Sequence, residues 1–287
     1  MENKKAIAEA LRAYVEQKGG QNKAAASIKG VSPATVSQML NGAMPGQGDK
    51  WELISDEMWR KVKRAIGMSE RGWLTVETMT YRQMHLLLGA SQDESRVMSL
   101  TAPAGSGKTY AAREYAAGHK NVYMLNCDEF WSKNDFVEEL LRTMGERSDG
   151  MTKRERMMLA CGQLAKKDRP LIILDEFDKL NDTVWFFFIT LYNRLEDQCG
   201  MVLLSTDYIE KRIRTGLKWQ KKGYPEIWSR LGSKCVGLSR SGYEDIRMMC
   251  EANGVSDEST IEDIARSSEG DLRRVRQLVF AQMQKGE

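Results

Sequence analysis

A chain of 287 residues has ample length for a buried core and suggests one large domain or two to three small ones. Its composition is globular, 41% hydrophobic and 29% charged, and a net charge of +3 is too small to mark a nucleic-acid binder by itself. Five scattered cysteines without a C-x-x-C pair, and only two histidines, argue against zinc and for reduced thiols. No apolar run approaches the roughly 18 residues of a membrane span, so a cytoplasmic protein without a membrane partner is expected.

The first 77 residues hold 12 Lys/Arg against 9 Asp/Glu, so the positive excess lies there and any other basic surface must be local. Residues 4–17 place Ile7, Leu11, Tyr14 and Val15 on one helical stripe, stopped by Gly19 and Gly20. Asn22 is a candidate cap for a short helix over 23–29. After Gly30, Ser32 and Pro33 read as the cap and first residue of a helix over 34–40 that buries Val36, Met39 and Leu40. Two short helices around a glycine turn describe a helix-turn-helix; a helical hairpin that binds protein is the alternative. Residues 41–50 are turn-rich, 55–66 reads as a helix with Met58, Trp59, Val62 and Ile66 on its apolar face, and 67–77 reads as a linker. Thr78 caps a further helix carrying Tyr81, Met84 and Leu88.

Residues 97–110, VMSLTAPAGSGKTY, are the stretch that organises the rest. A short apolar run enters a loop of small residues, then Lys108 and Thr109 open a run of good helix formers: the strand, loop and helix of a P-loop. Gly105 and Gly107 free the backbone N–H groups to face a polyphosphate, and Pro103, Ala104, Ser106 and Tyr110 complete the nucleotide-binding set. Lys108 is expected at the β/γ-phosphates of ATP and the Thr109 hydroxyl on Mg²⁺. Ala102 stands where the signature has its first glycine.

A second strand follows from 121, then helices over 136–144 and 153–166. The apolar run 170–174 ends in Asp175-Glu176, a Walker B pattern in which Asp175 holds Mg²⁺ through water and Glu176 polarises the attacking water. An apolar helix (185–195) and another strand from 201 come next. Residues 211–222 carry six cations and no acid, interrupted by Gly216 and Trp219. They read either as a solvated face or as a loop gripping a phosphate backbone, which is the preferred reading. Three helices close the chain: 243–252, 257–267 and 271–284.

Several segments resemble known families. GVSPATVSQMLNG resembles the turn and recognition helix of lambda-repressor-like domains, which implies that Thr35, Ser37 and Gln38 face the major groove. The strand ending at Thr206-Asp207 is similar to the sensor 1 strand of AAA+ ATPases, with Asp207 where asparagine is usual. The segment around Trp228-Ser-Arg resembles the one that presents an arginine finger to a neighbouring subunit, making Arg230 the candidate; a salt-bridged surface arginine is the alternative. GDLRR resembles sensor 2, with Arg273 toward the nucleotide and Arg274 and Arg276 as the other claimants.

The order of these pieces over nearly the whole chain resembles the AAA+ transposition ATPases, the family of phage Mu transposition protein B. The match is most specific at 107–115, at the strand from Val122, at 175–180 and near Arg230. It implies an α/β AAA+ core with a parallel sheet flanked by helices (78–240), a small helical lid (241–287), a helix-turn-helix domain (1–67) and a linker (68–77). It also implies ATP-dependent helical filaments on double-stranded DNA with little sequence preference, delivery of that DNA to a transposase, and disassembly on hydrolysis. Lys153, Arg154, Arg156, Lys211, Arg212, Arg214, Lys218, Lys221 and Lys222 are the expected backbone contacts. A helicase loader, or a repressor with a nucleotide-sensing domain, are the alternatives.

Overall fold

The computed structural model describes residues 4–42, 51, 53–66 and 73–285. The turn expected over 43–50 and most of the predicted linker (67–72) lie outside them.

Helices α1 (Lys4–Lys18), α2 (Gln21–Ser27), α3 (Pro33–Asn41) and α4 (Asp56–Ala65) share a core of their own built on Ile7, Leu11, Val36, Met39, Trp59 and Val62. Ser32 caps α3 by accepting from the Thr35 N–H at 3.1 Å, with Pro33 in the first turn. The helix expected from residue 23 begins two residues earlier, at Gln21, and Gly20 rather than Asn22 stands at its cap. It also stops at Ser27. Ile28 then drops into the core, which leaves Lys29 exposed in the turn.

α5 (Met79–Asp93), capped by Thr78, leads into the α/β layer. β1 (Val97–Thr101), α6 (Lys108–Gly118), β2 (Val122–Asn126), α7 (Lys133–Met144), α8 (Lys153–Leu164), β3 (Leu171–Asp175), a 3-10 turn (Phe177–Lys179), α9 (Asp182–Leu195) and β4 (Gly200–Ser205) follow. Next come α10 (Tyr208–Lys218), α11 (Tyr224–Arg230) and β5 (Cys235–Gly237). The five strands are parallel in the order β2-β3-β4-β1-β5. The period-2 alternation divides them cleanly. Ile172, Leu174, Met201 and Leu203 pack with α7, α8 and α9, while Leu171, Ile173, Val202 and Leu204 pack with α5 and α6. Both faces are covered, and the carboxyl ends of β1, β3 and β4 come together beside the topological switch at β1.

Two elements depart from the expected pattern. Residues 211–218 are not a loop but most of α10, whose buried stripe is Ile209, Ile213 and Gly216. The three-residue strand β5 carries too little pattern to be read from sequence. Helices α12 (Tyr243–Ala252), α13 (Glu258–Ser268) and α14 (Leu272–Lys285) form a small unit with its own core, which Trp73 and Val76 join. The part of the expected linker that is described is therefore no free tether. Asn253 clasps Leu74 through both backbone groups, accepting from its N–H at 2.9 Å and donating to its carbonyl at 2.8 Å. All five thiols are free, and all but Cys235 are buried. Among the described residues no helix is long and apolar enough to cross a membrane.

Candidate nucleotide site

The loop 102–107 joins β1 to α6, so its N–H groups and the N-terminus of α6 are presented together. Gly105 and Gly107 take φ values of +76° and +88°, in the region that favours glycine. Gly105 is doubly constrained, because a Cβ there would overlap the Asp271 carboxylate. Ala102 does not share this conformation: its φ is not positive and its methyl is buried, so the missing signature glycine costs the loop no backbone strain.

Lys108 lies buried across the loop, donating to the carbonyls of Ala102 (3.1 Å) and Pro103 (3.2 Å). Burial lowers its pKa, and the charge of Asp175 pulls it back up. Asp175, fully buried at the end of β3, is the complementary group. Its Oδ1 accepts from the Glu176 N–H at 3.0 Å, and Oδ2 has no partner. Burial raises its pKa, opposed by the nearby Thr109 hydroxyl and by the Glu176 N–H. The hydroxyl of Ser106 is likewise buried and unpartnered. Two orphaned polar atoms beside a phosphate-type loop are what a bound polyphosphate and its cation would satisfy. The donor set of Thr109 hydroxyl and Asp175 carboxylate is the hard-oxygen chemistry Mg²⁺ takes.

Glu176 has φ +55°, an uncommon conformation for a residue with a Cβ. Its carboxylate accepts from Lys179 Nζ at 2.7 Å. At the end of β4, Thr206 Oγ1 donates to Asp178 Oδ2 at 3.0 Å, tying that strand to the same turn. Asp207 is exposed at the start of α10 and makes no side-chain cap.

The α12–α14 unit touches the loop directly: the Leu272 N–H donates to the Gly105 carbonyl at 2.9 Å. The cleft between them has a volume of about 860 Å³. The loop residues from Gly105 to Tyr110 line it together with Arg113 and the first turns of α14, Arg273 and Arg276. Trp73, Val76 and Met249 add an apolar wall able to flank a heterocyclic base. Of the three arginines that sequence nominated on α14, Arg273 and Arg276 therefore both reach the cleft. Arg276 is held near Trp73 (5.6 Å) and Phe280 (5.5 Å), and Arg274 pairs instead with Glu269 at 3.3 Å. Arg113 and the strap 73–78 were missed. Arg113 shares the face of α6 that carries Tyr110, three residues back, which is the signal that could have found it.

The other predicted residues are not gathered here. Arg230 ends α11, half-buried against α9, with its guanidinium donating twice to Asn193 Oδ1 (3.1 and 2.8 Å) and lying 5.3 Å from the Tyr192 ring. It takes no part in lining the cleft of its own chain. Lys153, Arg154, Lys211, Arg214, Lys218, Lys221 and Lys222 are exposed, as is Gln38; Thr35 and Ser37 are half-buried. Arg156 and Arg212 correct the expectation of a DNA-facing role. Arg156 is nearly enclosed and bonds Asn134 (2.9 Å) and Glu138 (2.8 Å). Arg212 is turned inward onto Asp182 (2.6 Å) and two backbone carbonyls.

Residues 91–213 match the family model described as AAA domain. The chain is 25% identical over 236 residues to the Mu-like prophage FluMu DNA transposition protein B of Haemophilus influenzae, covering 79% of this chain and 77% of that protein. It is 22% identical over 253 residues to the ATP-dependent target DNA activator B of Escherichia phage Mu, covering 88% and 79%. Among solved structures, the Aeropyrum pernix ORC1 protein in complex with DNA has a similar fold, with TM-score 0.50 and 17% identity, over 70% of this chain and 58% of that one. The chain therefore carries an ATPase domain of the AAA fold.

Proposed function

We propose that the chain is an ATP-dependent, largely sequence-nonspecific DNA-binding ATPase that assembles along double-stranded DNA and presents it as target to a partner transposase. The observation that carries the nucleotide half is the unpartnered Asp175 Oδ2, buried close to Lys108 of the phosphate-type loop. The DNA and transposase half rests on the names of the relatives, a target DNA activator and a transposition protein, and on the exposed cations of α10 and of the 221–222 turn.

The parts divide as follows. Lys108 exchanges its two carbonyl acceptors for the β/γ-phosphate oxygens, an exchange that costs little because its ammonium is already desolvated. Thr109 and Asp175 are the residues that would hold Mg²⁺, which when bound neutralises charge on the transferring phosphoryl group. Glu176 orients the attacking water and takes its proton once it leaves Lys179. Arg273 reaches the phosphates from the lid. Arg230, absent from the lining of its own cleft, acts on the nucleotide of a neighbouring subunit, so turnover requires assembly.

Electron microscopy with random-sequence duplex tests this. Filaments with ATP, absent with ADP and absent for Arg230→Ala, support it. Isolated particles at one preferred site whatever the nucleotide overturn it in favour of a repressor.

A further inference from the structure

The 3-10 turn that follows Glu176 is held by side chains at the carbonyls of Phe177, Asp178 and Leu180, two of them by one side chain. Trp185 Nε1 donates to the Phe177 carbonyl at 3.1 Å. Arg212 donates to the carbonyls of Asp178 (2.9 Å) and Leu180 (2.7 Å), so one guanidinium spans the turn. Its remaining donors reach Asp182 Oδ1 at 2.6 Å and the Tyr224 hydroxyl at 3.4 Å, and its Cζ lies 3.9 Å from the Trp185 ring centroid. Tyr224 in turn donates to Asp182 Oδ1 at 2.8 Å. Only arginine offers donors in a rigid fork wide enough for this; lysine has one nitrogen.

Position gives the clamp its meaning. Glu176 sits at φ +55°, a conformation its surroundings must hold in place. Arg212 is on α10 between Lys211 and Arg214, both exposed. Tyr224 opens α11, the helix that ends in Arg230, and its ring fits against Gly216, where a Cβ would overlap it. A force on the outer face of α10 is therefore delivered to the Glu176 turn and to the start of α11 at once.

We infer that Arg212 is a positioning residue for ATP hydrolysis, coupling the basic face of α10 to the orientation of Glu176. The inference rests on the proposed roles of Glu176 and of α10 as a DNA surface.

Arg212→Lys in the full chain tests it, with Glu176→Gln as control. Four quantities are measured: affinity for a fluorescent ATP analogue, ATP turnover with and without saturating duplex, duplex affinity by anisotropy, and thermal melting. The expected result is nucleotide affinity within about twofold of the parent and turnover down more than about tenfold, with the DNA stimulation ratio falling toward one. Asp182→Asn, which removes the charge beneath Arg212, gives the same pattern at smaller size, and decides the matter if Arg212→Lys melts early. Parental turnover and stimulation in both variants overturn the inference, as does loss of nucleotide affinity in step with turnover. If Glu176→Gln hydrolyses ATP, the role of Glu176 fails and takes the inference with it. If that control is inactive while Arg212→Lys behaves as the parent, the inference alone fails.

Discussion

The two helices proposed as DNA contacts have opposite chemistry. α3 has no ionised side chain at all; of its three nominated residues Gln38 is exposed, and Thr35 and Ser37 are half-buried. α10 presents Lys211, Arg214 and Lys218, continues into exposed Trp219, Lys221 and Lys222, and answers them only with Glu210, paired to Arg214 at 2.5 Å. Attraction to phosphates requires cations and weakens with salt, whereas short neutral side chains at base edges discriminate sequence with little salt dependence. Proposed DNA contact through both would thus divide the work: α10 supplies affinity and α3 supplies preference.

The sharpest test of that division removes charge from α10. Lys211, Lys218, Lys221 and Lys222 changed together to alanine should weaken duplex binding on the order of 100-fold near 0.1 M salt, and flatten the salt slope by about 0.9 for each phosphate no longer neutralised. An unchanged slope would move the phosphate-binding cations elsewhere, with Lys153 and Arg154 next in line.

A smaller effect separates nucleotide-dependent from nucleotide-independent binding. Gly105→Ala places a Cβ against Asp271 at φ +76°, and should cost about 1–2 kcal/mol, roughly tenfold in nucleotide affinity. ATP-dependent binding through α10 should fall with it, while any contact made by α3 persists. Ala102→Gly, at a site of ordinary φ, should leave nucleotide affinity within about twofold. Nucleotide titrations of both variants check this pair.

The same contrast shows what could be read in advance. The nucleotide loop, the acidic end of β3 and the caps Ser32 and Thr78 are local patterns, in which neighbouring residues state their own geometry. α10 was legible in principle, since Ile209, Ile213 and Gly216 repeat at helical spacing, but the basic run and its glycine suggested a loop. The inward turn of Arg212 was not legible. Its acceptors lie about 30 residues away, and nothing in a cation's neighbours says whether it will find water or a carbonyl. Asp271 against Gly105, and Asn253 around Leu74, were hidden for the same reason.

Smaller again is the effect expected at α3. Thr35, Ser37 and Gln38 changed to alanine should alter preference among duplex sequences by about fivefold, within the roughly 1–3 kcal/mol that a good base contact carries, and leave the salt slope alone. Competition between two duplexes of different sequence reads this directly. Weaker overall affinity without any change in preference would place α3 on phosphates too.

How firmly α3 is held relative to α10 should depend, more weakly still, on pH. The α1–α4 unit rests on the core through Gln17, which donates to the Ala116 and His119 carbonyls, through Lys23 paired to Glu146 at 3.1 Å, and through Lys18, which donates to the Thr143 carbonyl at 3.3 Å. Burial, aided by the charge of Arg142, lowers the pKa of Lys18 to about 8. Undocked and in water it returns to about 10.5. Between those values the undocked form binds more protons, so docking strengthens as pH rises from about 8 toward 10.5 and is weakest below 8. Tyr14, packed beside Lys18, has its own pKa raised by burial, so it keeps its proton through most of that window. Hydrogen exchange of α1, corrected for its intrinsic pH dependence, should therefore show a few-fold more protection at about pH 9.5 than at about pH 7.5. Lys18→Met, which keeps the stem and removes the charge, should protect α1 equally at both. If the parent shows no such difference, Lys18 keeps its proton when docked, and the orientation of α3 is set by Gln17 and Lys23 without help from pH.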